Sequence, residues 1–357
     1  MLAIRGETAD KVWRSAIDSL RAKSGTPLQD GRGGATNELL HVLLEIRSPR
    51  QRWVASRVPA VSVAFAIVEV VGILNGRRDS AYLNFFNPGL PEFAGHGPQY
   101  HGAYGHRLRK NLRIDQLDRA FNALRKNPNG RQVVLQIWDA RQDFPRRDGN
   151  PTSEDIPCNI CSMLKIRDYK LEWAQIMRSN DLFRGLPYNI VQFTCLQEVL
   201  SGWLGIGVGT YAHYSDSLHL YARDVEQAYR YEQLKPEPND ESLSLPRKHS
   251  DAVWREMNRR VNVLVETEPK DGEYRKLAHL DSAPTAFSNL MRVVSADAAR
   301  RREHIDIAHE IMDECTNRAL VQLWNRWAIR KKAVKATTRR TSTAKPGKAT
   351  GSRSRTA

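Results

Sequence analysis

One stretch of the chain, residues 156–221, gathers several side chains whose types and spacing suit chemistry. Cys158 directly follows a proline and is a candidate nucleophile. Arg178 and Ser179 supply a cation and a hydroxyl that together clamp an anion. Asn189 supplies a planar amide, which reads a donor and an acceptor at once. A nucleophile, an anion clamp and an amide reader are parts of one kind of site.

Periodicity predicts the elements that must position these side chains. Two strand-like runs, Cys158–Arg167 and Leu171–Arg178, are joined by a short polar connection, which is typical of a hairpin. Apolar residues recur at helical spacing over Tyr188–Leu204, so this segment is predicted to be a largely buried helix with the amide reader in its first turn. A third strand is predicted over Val208–Tyr221.

The order of short motifs in this stretch resembles the thymidylate synthase and pyrimidine nucleotide hydroxymethylase family. The motifs are Pro157-Cys158, Arg178-Ser179-x-Asp181, Gly185-Leu186-Pro187-Tyr188-Asn189 and His219-Leu220-Tyr221. Several motifs in one order are far more specific than any one of them. The resemblance covers roughly residues 32–224. It implies an α/β (α+β) fold in which a large mixed sheet is covered by helices and the protein dimerises through the sheet face.

The resemblance implies covalent catalysis by Cys158. C5 of a pyrimidine is a poor nucleophile, and a thiolate that adds to C6 turns the ring into an enolate that is a good one. A free thiol has a pKa near ~8.5, so it needs cationic neighbours to ionise at neutral pH. Arg178 is expected beside the thiol, where it would also bind the nucleotide phosphate with two hydrogen bonds.

The resemblance also implies further phosphate ligands. Arg32 lies between glycines, which alone is typical of a solvated loop, but the family has a phosphate-binding arginine loop ahead of its first core helix. Ser179 is expected in the same anion site. Arg131 matches one of two arginines that the family donates to the phosphate of the partner subunit, and Gln132 replaces the other. The expected assembly is therefore a homodimer.

The segment Val58–Leu74 is apolar nearly all round and is predicted to be a buried helix, with Glu69 as its only charged residue. A carboxylate is costly to bury unless another group pairs with it or the site uses it. The resemblance implies the second case, in which Glu69 holds an ordered water, whereas Gly72 stands where the family has a tryptophan. Tyr104, which alone would pass for a core tyrosine, resembles the residue that helps to remove a proton from the base.

The base, the sugar and the folate are assigned residues by the same resemblance. Asn189 can meet the N3 donor and the O4 acceptor of uracil with one amide, whereas relatives that act on cytosine have an aspartate there. Asp181 and Gly185 are expected to contact 5,10-methylenetetrahydrofolate, with the carboxylate at its pterin ring. His219 and Tyr221 resemble the pair that holds the sugar 3′-hydroxyl.

Cysteine usage offers a competing interpretation of the nucleophile. Cys158 and Cys161 have the spacing of a redox pair or half a zinc site, but the sequence has no second such pair, so no metal is predicted. Residues three apart in a strand point to opposite faces, and Cys161 and Cys195 are expected to be small core residues. With four cysteines, no apolar run long enough to span a membrane and no secretory signal, a reduced, cytoplasmic protein is predicted.

Composition divides the chain into three predicted parts. They are a synthase-like catalytic domain over residues 1–235, a helical C-terminal extension over 236–334 and a disordered basic tail over 335–357. The net charge of +15 is mostly a property of residues 330–357, which hold ten Lys or Arg and no acid. This tail replaces the apolar segment that closes over the folate in the family, and a weak contact with nucleic acid is expected of it.

The leading functional hypothesis is folate-dependent methylation of dUMP to dTMP. The first alternative is hydroxymethylation of a pyrimidine nucleotide, because the missing lid, Gly72 and Asn159 (a histidine in the family's synthases) favour a wetter site. The second alternative is an inactive synthase-like scaffold that binds nucleic acid through its basic tail. Strongly salt-dependent binding to nucleic acid would indicate that role.

Overall fold

The computed structural model describes residues 1–23, 28–31 and 33–328. The predictions for Arg32 and for the tail over 335–357 therefore lie outside the described residues. The strands are β1 (Leu2–Gly6), β2 (Gln29–Gly31), β3 (Gly34–Ile46), β4 (Val134–Gln136), β5 (Asn159–Arg167), β6 (Lys170–Asp181) and β7 (Gly207–Tyr221).

Helices cover the sheet and make up most of the C-terminal part. They are α1 (Ala9–Arg21), α2 (Val63–Leu74), α3 (Ala81–Phe86), α4 (Pro91–Ala94), α5 (Tyr104–Arg109), α6 (Gln116–Lys126), α7 (Ala140–Asp143), α8 (Leu186–Leu204), α9 (Val225–Ala228), α10 (Arg247–Glu266), α11 (Asp271–Ala278), α12 (Thr285–Arg301) and α13 (Ile305–Asp313). A 3₁₀ turn covers Ala222–Asp224, and residues 318–328 are also helical. No helix within the described ranges is long and apolar enough to cross a membrane.

Among the described residues the strands form one seven-stranded sheet in the order β1-β3-β7-β6-β5-β4, with β2 paired to β3. The pairs β1/β3 and β6/β7 are parallel, and the other pairs are antiparallel. The crossover from β6 to its parallel neighbour β7 is made by α8, as parallel pairing requires. The predicted mixed sheet covered by helices is confirmed.

The β5–β6 hairpin sets the distance between the candidate nucleophile and its cation. Asp168 and Tyr169 both have positive φ, 47° and 54°, which is the backbone of a two-residue hairpin turn. The turn is therefore one residue shorter than the connection predicted from sequence. At the other end of the hairpin, the Arg178 amide donates to the Cys158 carbonyl at 2.9 Å. The two residues consequently stand side by side.

Two buried helices lie against the sheet and against each other. Helix α8 begins two residues before its predicted start, with Pro187 in its first turn, and ends at Gly205, whose φ of 68° is the left-handed conformation of a helix C-cap. Helix α2 begins at Val63 instead of Val58, because Ser62 caps it by accepting a hydrogen bond from the Phe65 amide at 3.3 Å. Helix α2, which carries Glu69, packs against α8, which carries Asn189.

Prediction of the strands from the sequence was incomplete in two places. The segment Arg131–Trp138 forms a strand only over Val134–Gln136, so Arg131 lies outside it on the surface. Strand β3 was not predicted, since its buried positions Thr36, Leu39 and Val42 are three apart instead of two. His41 within it has a φ of 56°, which interrupts the strand alternation.

The C-terminal helices pack on the same core as the sheet. The chain forms two successive helices, α12 and α13, because Glu303 adopts a left-handed φ of 69° between them. Helices α10 and α12 contact α2. Residues 236–246 form a coil without regular secondary structure, which is held to α8 because Ser242 Oγ and Leu243 N each donate to Glu198 Oε1 at 3.1 Å. The division of the chain into domains stays a prediction.

Candidate active site

Tyr104, at the start of α5, stands at the centre of the candidate site. Burial raises the pKa of its phenol well above the usual 10, and the nearby Cys158, Asp155 and Glu69 raise it further while Arg178 opposes them. The structure thus brings together four residues that the sequence had singled out. Asp155 is an addition that the sequence did not indicate.

Arg178 is fixed against the backbone that leads into the nucleophile. Its Nε donates to the Pro157 carbonyl at 3.1 Å, and its Nη2 donates to the Ile156 carbonyl at 3.0 Å. The side chain is exposed, whereas Cys158 is partly buried. A fixed guanidinium at the edge of solvent can favour the thiolate and still meet an anion that arrives from outside.

Ser179, His219 and Tyr221 form a second group on the adjoining strands β6 and β7. Ser179 Oγ lies 3.2 Å from His219 Nδ1. The ring of Tyr221 meets the ring of His219 edge-on, with centroids 5.4 Å apart. Burial lowers the pKa of His219, while Asp181, its register partner, acts in the opposite direction. This group supplies neutral hydrogen-bonding partners of the kind that a sugar hydroxyl needs.

Asp181 and Gly185 shape the start of α8. Asp181 Oδ1 accepts hydrogen bonds from the amides of Phe183 and Arg184 at 2.8 and 2.7 Å, and burial raises the pKa of this carboxyl. A Cβ at Gly185 would lie 3.1 Å from Asn180 Oδ1 and 3.3 Å from the Asp181 backbone carbonyl, so the glycine allows the chain to pass close to these oxygens. Both amides bind the same oxygen, which leaves Oδ2 for a ligand as far as the described residues are concerned.

Glu69 and Asn189 are connected by Gln192, which the sequence did not indicate. Burial raises the pKa of Glu69 to about 8, and a hydrogen bond from Gln192 acts against this shift. Asn189 Nδ2 donates to Gln192 Oε1 at 3.2 Å. Glu69 Oε2 is buried and has no hydrogen-bond partner in the part of the chain that is described. Gln192 thus contacts the Asn189 amide directly and lies close enough to Glu69 to affect the pKa of its carboxyl.

Gly72 does not open the site in the way that the sequence suggested. A Cβ at this position would collide with Tyr82 Oη, so Tyr82 of α3 occupies the adjacent space. Tyr82 is buried, and the Arg77 guanidinium lies 3.9 Å from its ring centroid. The interpretation that Gly72 makes the site wetter is therefore not supported.

Two further arginines are expected at the phosphate, and one of them, Arg32, lies outside the described residues. Gly33, the neighbour of Arg32, lies against Tyr221, because a Cβ there would be 2.6 Å from the tyrosine oxygen. Arg131 is exposed on the surface of the protomer. Both assignments stay predictions, and the second requires a partner subunit.

The polar loop before Cys158 forms hydrogen bonds that fix the segment carrying Tyr104. Asp143 is buried and accepts from Arg107 Nη1 and Nη2 at 3.0 and 2.8 Å, with His101 Nε2 2.7 Å away. Asp155 Oδ2 accepts from the Gly102 amide at 2.7 Å. No local pattern distinguishes these two carboxylates from solvated ones, since their partners lie far away in sequence.

The remaining cysteines differ in their surroundings. Cys195 is buried as expected, but Arg52 Nη1 donates to its sulfur at 2.7 Å, so its surroundings are not purely apolar. Cys161 is partly buried, and burial raises its pKa. Within the described ranges, no group of three or more His, Cys, Asp or Glu could hold a metal ion.

Comparison with known proteins gives one family. Residues 23–261 match the family model described as thymidylate synthase. The deoxyuridylate hydroxymethyltransferase of Bacillus phage SP01 is 31% identical over 204 residues, covering 54% of this chain and 52% of that protein. The enzyme of the same name from Pseudomonas phage M6 is 34% identical over 159 residues, covering 44% of each chain. The chain thus spans about half the length of these phage relatives.

Other similar proteins carry the synthase name. The putative thymidylate synthase of Methanothermobacter thermautotrophicus (strain Delta H) is 24% identical over 221 residues, covering 60% of this chain and 91% of that protein. The crystal structure of thymidylate synthase from T4 phage matches with a TM-score of 0.49 at 20% identity, covering 63% of this chain and 82% of that one.

Proposed function

The chain belongs to the thymidylate synthase family, and we propose that it transfers a one-carbon unit to C5 of dUMP through an adduct between Cys158 and C6 of the uracil ring. The observation that carries this proposal is the cluster in which Cys158, Glu69 and Arg178 lie close enough to Tyr104 to shift the pKa of its phenol. A thiol beside a fixed guanidinium, with a partly buried phenol and a carboxyl whose Oε2 is buried nearby, is suited to nucleophilic addition followed by proton transfer.

Each residue of the cluster has a task in the first steps. The Cys158 sulfur gives its electron pair to C6, and the C5=C6 pair moves into the ring towards O4. Glu69, whose pKa lies at about 8, is placed to exchange a proton with O4 near neutral pH. Once C5 has gained its substituent, its proton leaves to a water molecule, and the oxygen of Tyr104, whose phenol is kept protonated by burial, accepts a hydrogen bond from that water.

The nucleotide is held at both ends in this proposal. Arg178 and Ser179 bind the phosphate together with Arg32 and with Arg131 from a second subunit of a homodimer. The exposure of Arg178 and Arg131 in the protomer is what such a shared anion site needs. His219 and Tyr221 hold the 3′-hydroxyl of the sugar. The 3.2 Å contact between Ser179 Oγ and His219 Nδ1 keeps this pair close to the phosphate-binding residues.

Methylenetetrahydrofolate would supply the one-carbon unit when it is bound. The residues fit such a group, because Asp181 is partly buried and uses only Oδ1 for the Phe183 and Arg184 amides, so its other oxygen can accept from the amino and ring N–H donors of a pterin. Gly185, which has no side chain, leaves space beside Asn180 Oδ1 and Asn189 Oδ1. Both residues come from the turn that enters α8, the helix that also carries Asn189.

We favour the hydroxymethyl ending over the methyl ending for the last step. The phage relatives that share 31% and 34% identity carry the name deoxyuridylate hydroxymethyltransferase. In that ending, water adds to the methylene carbon on C5, the S–C6 bond breaks, and its electron pair returns to the sulfur. Methylation remains the second candidate, because Tyr82 fills the space beside Gly72 and limits entry of water.

The products separate these possibilities. The protein is incubated with methylenetetrahydrofolate and either dUMP, dCMP, UMP or CMP, and both the nucleotide and the folate are analysed by mass spectrometry. A hydroxymethyl product from dUMP with tetrahydrofolate is expected. A methyl product with dihydrofolate would replace the favoured ending, and no product from any of the four nucleotides would refute the proposed function.

A further inference from the structure

Arg77, in the turn that follows α2, joins helix α10 to the elements that carry the candidate site. Its Nη1 donates to Asn258 Oδ1 at 2.9 Å and to Asn262 Oδ1 at 2.5 Å, and both asparagines belong to α10. Its Nε and Nη2 donate to the two carboxylate oxygens of Asp79 at 2.9 and 2.5 Å. All three nitrogens of the guanidinium are therefore held by side chains.

The contact with α10 is specific in its geometry. Asn258 and Asn262 are four residues apart and lie on one face of the helix. A guanidinium can only donate, so both amides must turn their oxygen towards Arg77. The Arg77 side chain is 13% exposed, and losing these acceptors would leave a largely buried donor unpaired. A second bond, from Asn75 Nδ2 to the Trp254 carbonyl at 3.1 Å, holds the end of α2 to the same helix.

The guanidinium of Arg77 connects to Glu69 through Tyr82. Its carbon lies 3.9 Å from the centroid of the buried Tyr82 ring. A Cβ at Gly72 would collide with Tyr82 Oη, so the ring reaches from Arg77 to α2. Gly72 lies three residues after Glu69, on the same face of α2. Burial raises the pKa of the Tyr82 phenol, Arg77 lowers it and Glu69 raises it, so both charges lie near this ring.

The backbone of Arg77 supports the segment that carries Tyr104. A Cβ at Gly105, the next residue, would lie 2.6 Å from the Gly72 carbonyl oxygen and 3.1 Å from the Arg77 amide nitrogen. The Arg77 amide donates to the same carbonyl at 3.0 Å. The start of α5 thus packs directly against the turn that Arg77 occupies. Because this contact leaves no room for a side chain, a shift of the turn displaces the start of α5 as well.

We propose that Asn258 and Asn262 are positioning residues for the proposed reaction, which act through Arg77. By fixing this guanidinium, they keep Glu69 and Tyr104 where formation of the adduct and loss of the C5 proton require them. The inference rests on the proposed function and adds a C-terminal helix to what its site needs. A displacement of about 1 Å at a reacting group can lower a rate by roughly 10²-fold. The phosphate clamp lies on β6, so nucleotide binding should change far less than turnover.

The double substitution Asn258→Leu and Asn262→Leu removes both acceptors at nearly constant size. The guanidinium of Arg77 should then turn with Asp79 towards solvent and release the ring of Tyr82. We expect kcat to fall about tenfold while the Kd for dUMP stays within about twofold. Turnover is measured as tritium released from C5-labelled dUMP in the presence of methylenetetrahydrofolate, and Kd by isothermal titration. Loss of the C5 proton precedes the last step, so the result does not depend on which product forms.

A rescue variant separates positioning from a general loss of stability. Asn258→Leu combined with Asn262→Asp differs from the double leucine variant at one position and restores an oxygen acceptor for Arg77. Its charge-assisted bond should return kcat to within about threefold of the wild type. Arg259→Ala is the control, since this exposed arginine of α10 pairs with Glu256, and its kcat and Kd should equal those of the wild type. If the double leucine variant does not fold, Asn262→Leu alone is compared with Asn262→Asp in the same way.

The outcomes distinguish this inference from the proposed function. Melting curves establish that each variant is folded before kinetics are measured. A lower kcat at unchanged Kd in the leucine variant, recovered in the aspartate variant, supports the inference. A folded leucine variant with the wild-type kcat, equal losses of kcat and affinity, or an aspartate variant as slow as the leucine variant would overturn the inference alone. A wild type that neither binds dUMP nor releases tritium would overturn both the proposed function and the inference.

Discussion

The nucleophile side and the base-reading side of the candidate site are built from different interactions. On the nucleophile side, Arg178 is exposed and its charge is held by two backbone carbonyls beside Cys158. On the base-reading side, Asn189 donates to Gln192 on α8, and the Glu69 carboxyl of the packed helix α2 lies close enough to Gln192 for that residue to affect its pKa. Formation of a thiolate benefits from a cation at the edge of solvent, whereas discrimination between donor and acceptor patterns benefits from exclusion of water. One site therefore requires two environments.

The largest effect is expected on the nucleophile side. Cys158→Ser should lower turnover by at least about 10³-fold and abolish the covalent adduct with 5-fluoro-dUMP, because no other thiol is expected to add to C6. Mass spectrometry of the intact protein detects the adduct. Cys161→Ser is the control and should retain the adduct. Appreciable turnover by a folded Cys158→Ser variant would refute the assignment of the nucleophile.

Arg178→Ala should weaken dUMP binding by about 10- to 100-fold, since it removes a charge-assisted contact to the phosphate. It should also raise the pKa of the Cys158 thiol, which is measured by the pH dependence of its alkylation rate. Arg230→Ala, at an exposed residue paired with Glu226, serves as the control. If alkylation of the Arg178 variant followed the wild-type pH curve, the cation would act on the phosphate alone.

Asn189→Asp addresses the reading side without altering the charge beside the thiol. A protonated carboxyl would donate where cytosine N3 accepts, so the preference should move from dUMP towards dCMP by about tenfold or more. Competition binding with the two nucleotides measures this change. If the wild type already prefers dCMP, the amide argument fails and the base is recognised by other groups.

Glu69→Gln tests the base-reading side through the pH dependence of the free energy of unfolding. The pKa of Glu69 is raised from 4.5 to about 8, so between these values the folded protein holds a proton that the unfolded chain releases. The free energy of unfolding should therefore fall as pH rises through this window, and Glu69→Gln should remove that part of the fall. Chemical denaturation at pH 5 and pH 8 compares the two proteins. Equal slopes against pH would show that Glu69 titrates normally.

The smallest effect is expected from the C-terminal tail, which belongs neither to the nucleophile side nor to the base-reading side of the site. Deletion of residues 335–357 should leave nucleotide turnover within about twofold of the full chain, because this stretch lies outside the matched family region. Steady-state kinetics of both forms give the comparison. A folded but inactive truncated protein would show that the basic tail does the work of the apolar lid.

Prediction from sequence succeeded where the signals were local. The β5–β6 hairpin was predicted from two alternating runs around a polar turn, and α8 from apolar residues at helical spacing. Strand β3 was missed because its buried positions are irregularly spaced and His41 has a left-handed backbone. The hairpin could be predicted because its pattern depends on neighbours in sequence, whereas the burial pattern of β3 depends on strands far along the chain.

The same division holds within the candidate site. Cys158, Arg178 and Asn189 were predicted because they belong to short motifs, and the structure places Arg178 beside Cys158, while the roles of all three stay predictions. Arg77 and Gln192 were not found, since neither residue gives a sign of its partner in the sequence. The bond from Arg77 to α10 spans 185 positions, and only the packing of α10 against α2 creates it. Such a pairing is a tertiary property.

The contact between the coil 236–246 and Glu198 limits the insertions and deletions that the chain can accept during evolution. Burial alone would raise the pKa of Glu198, yet Arg52 and the backbone amide of Leu243 hold it below its usual value. A shorter or longer coil would move that amide away and leave a buried carboxylate with less support. The length of this coil is therefore constrained, unlike that of most surface connections. Among related proteins, insertions should be found on either side of the coil and not within it.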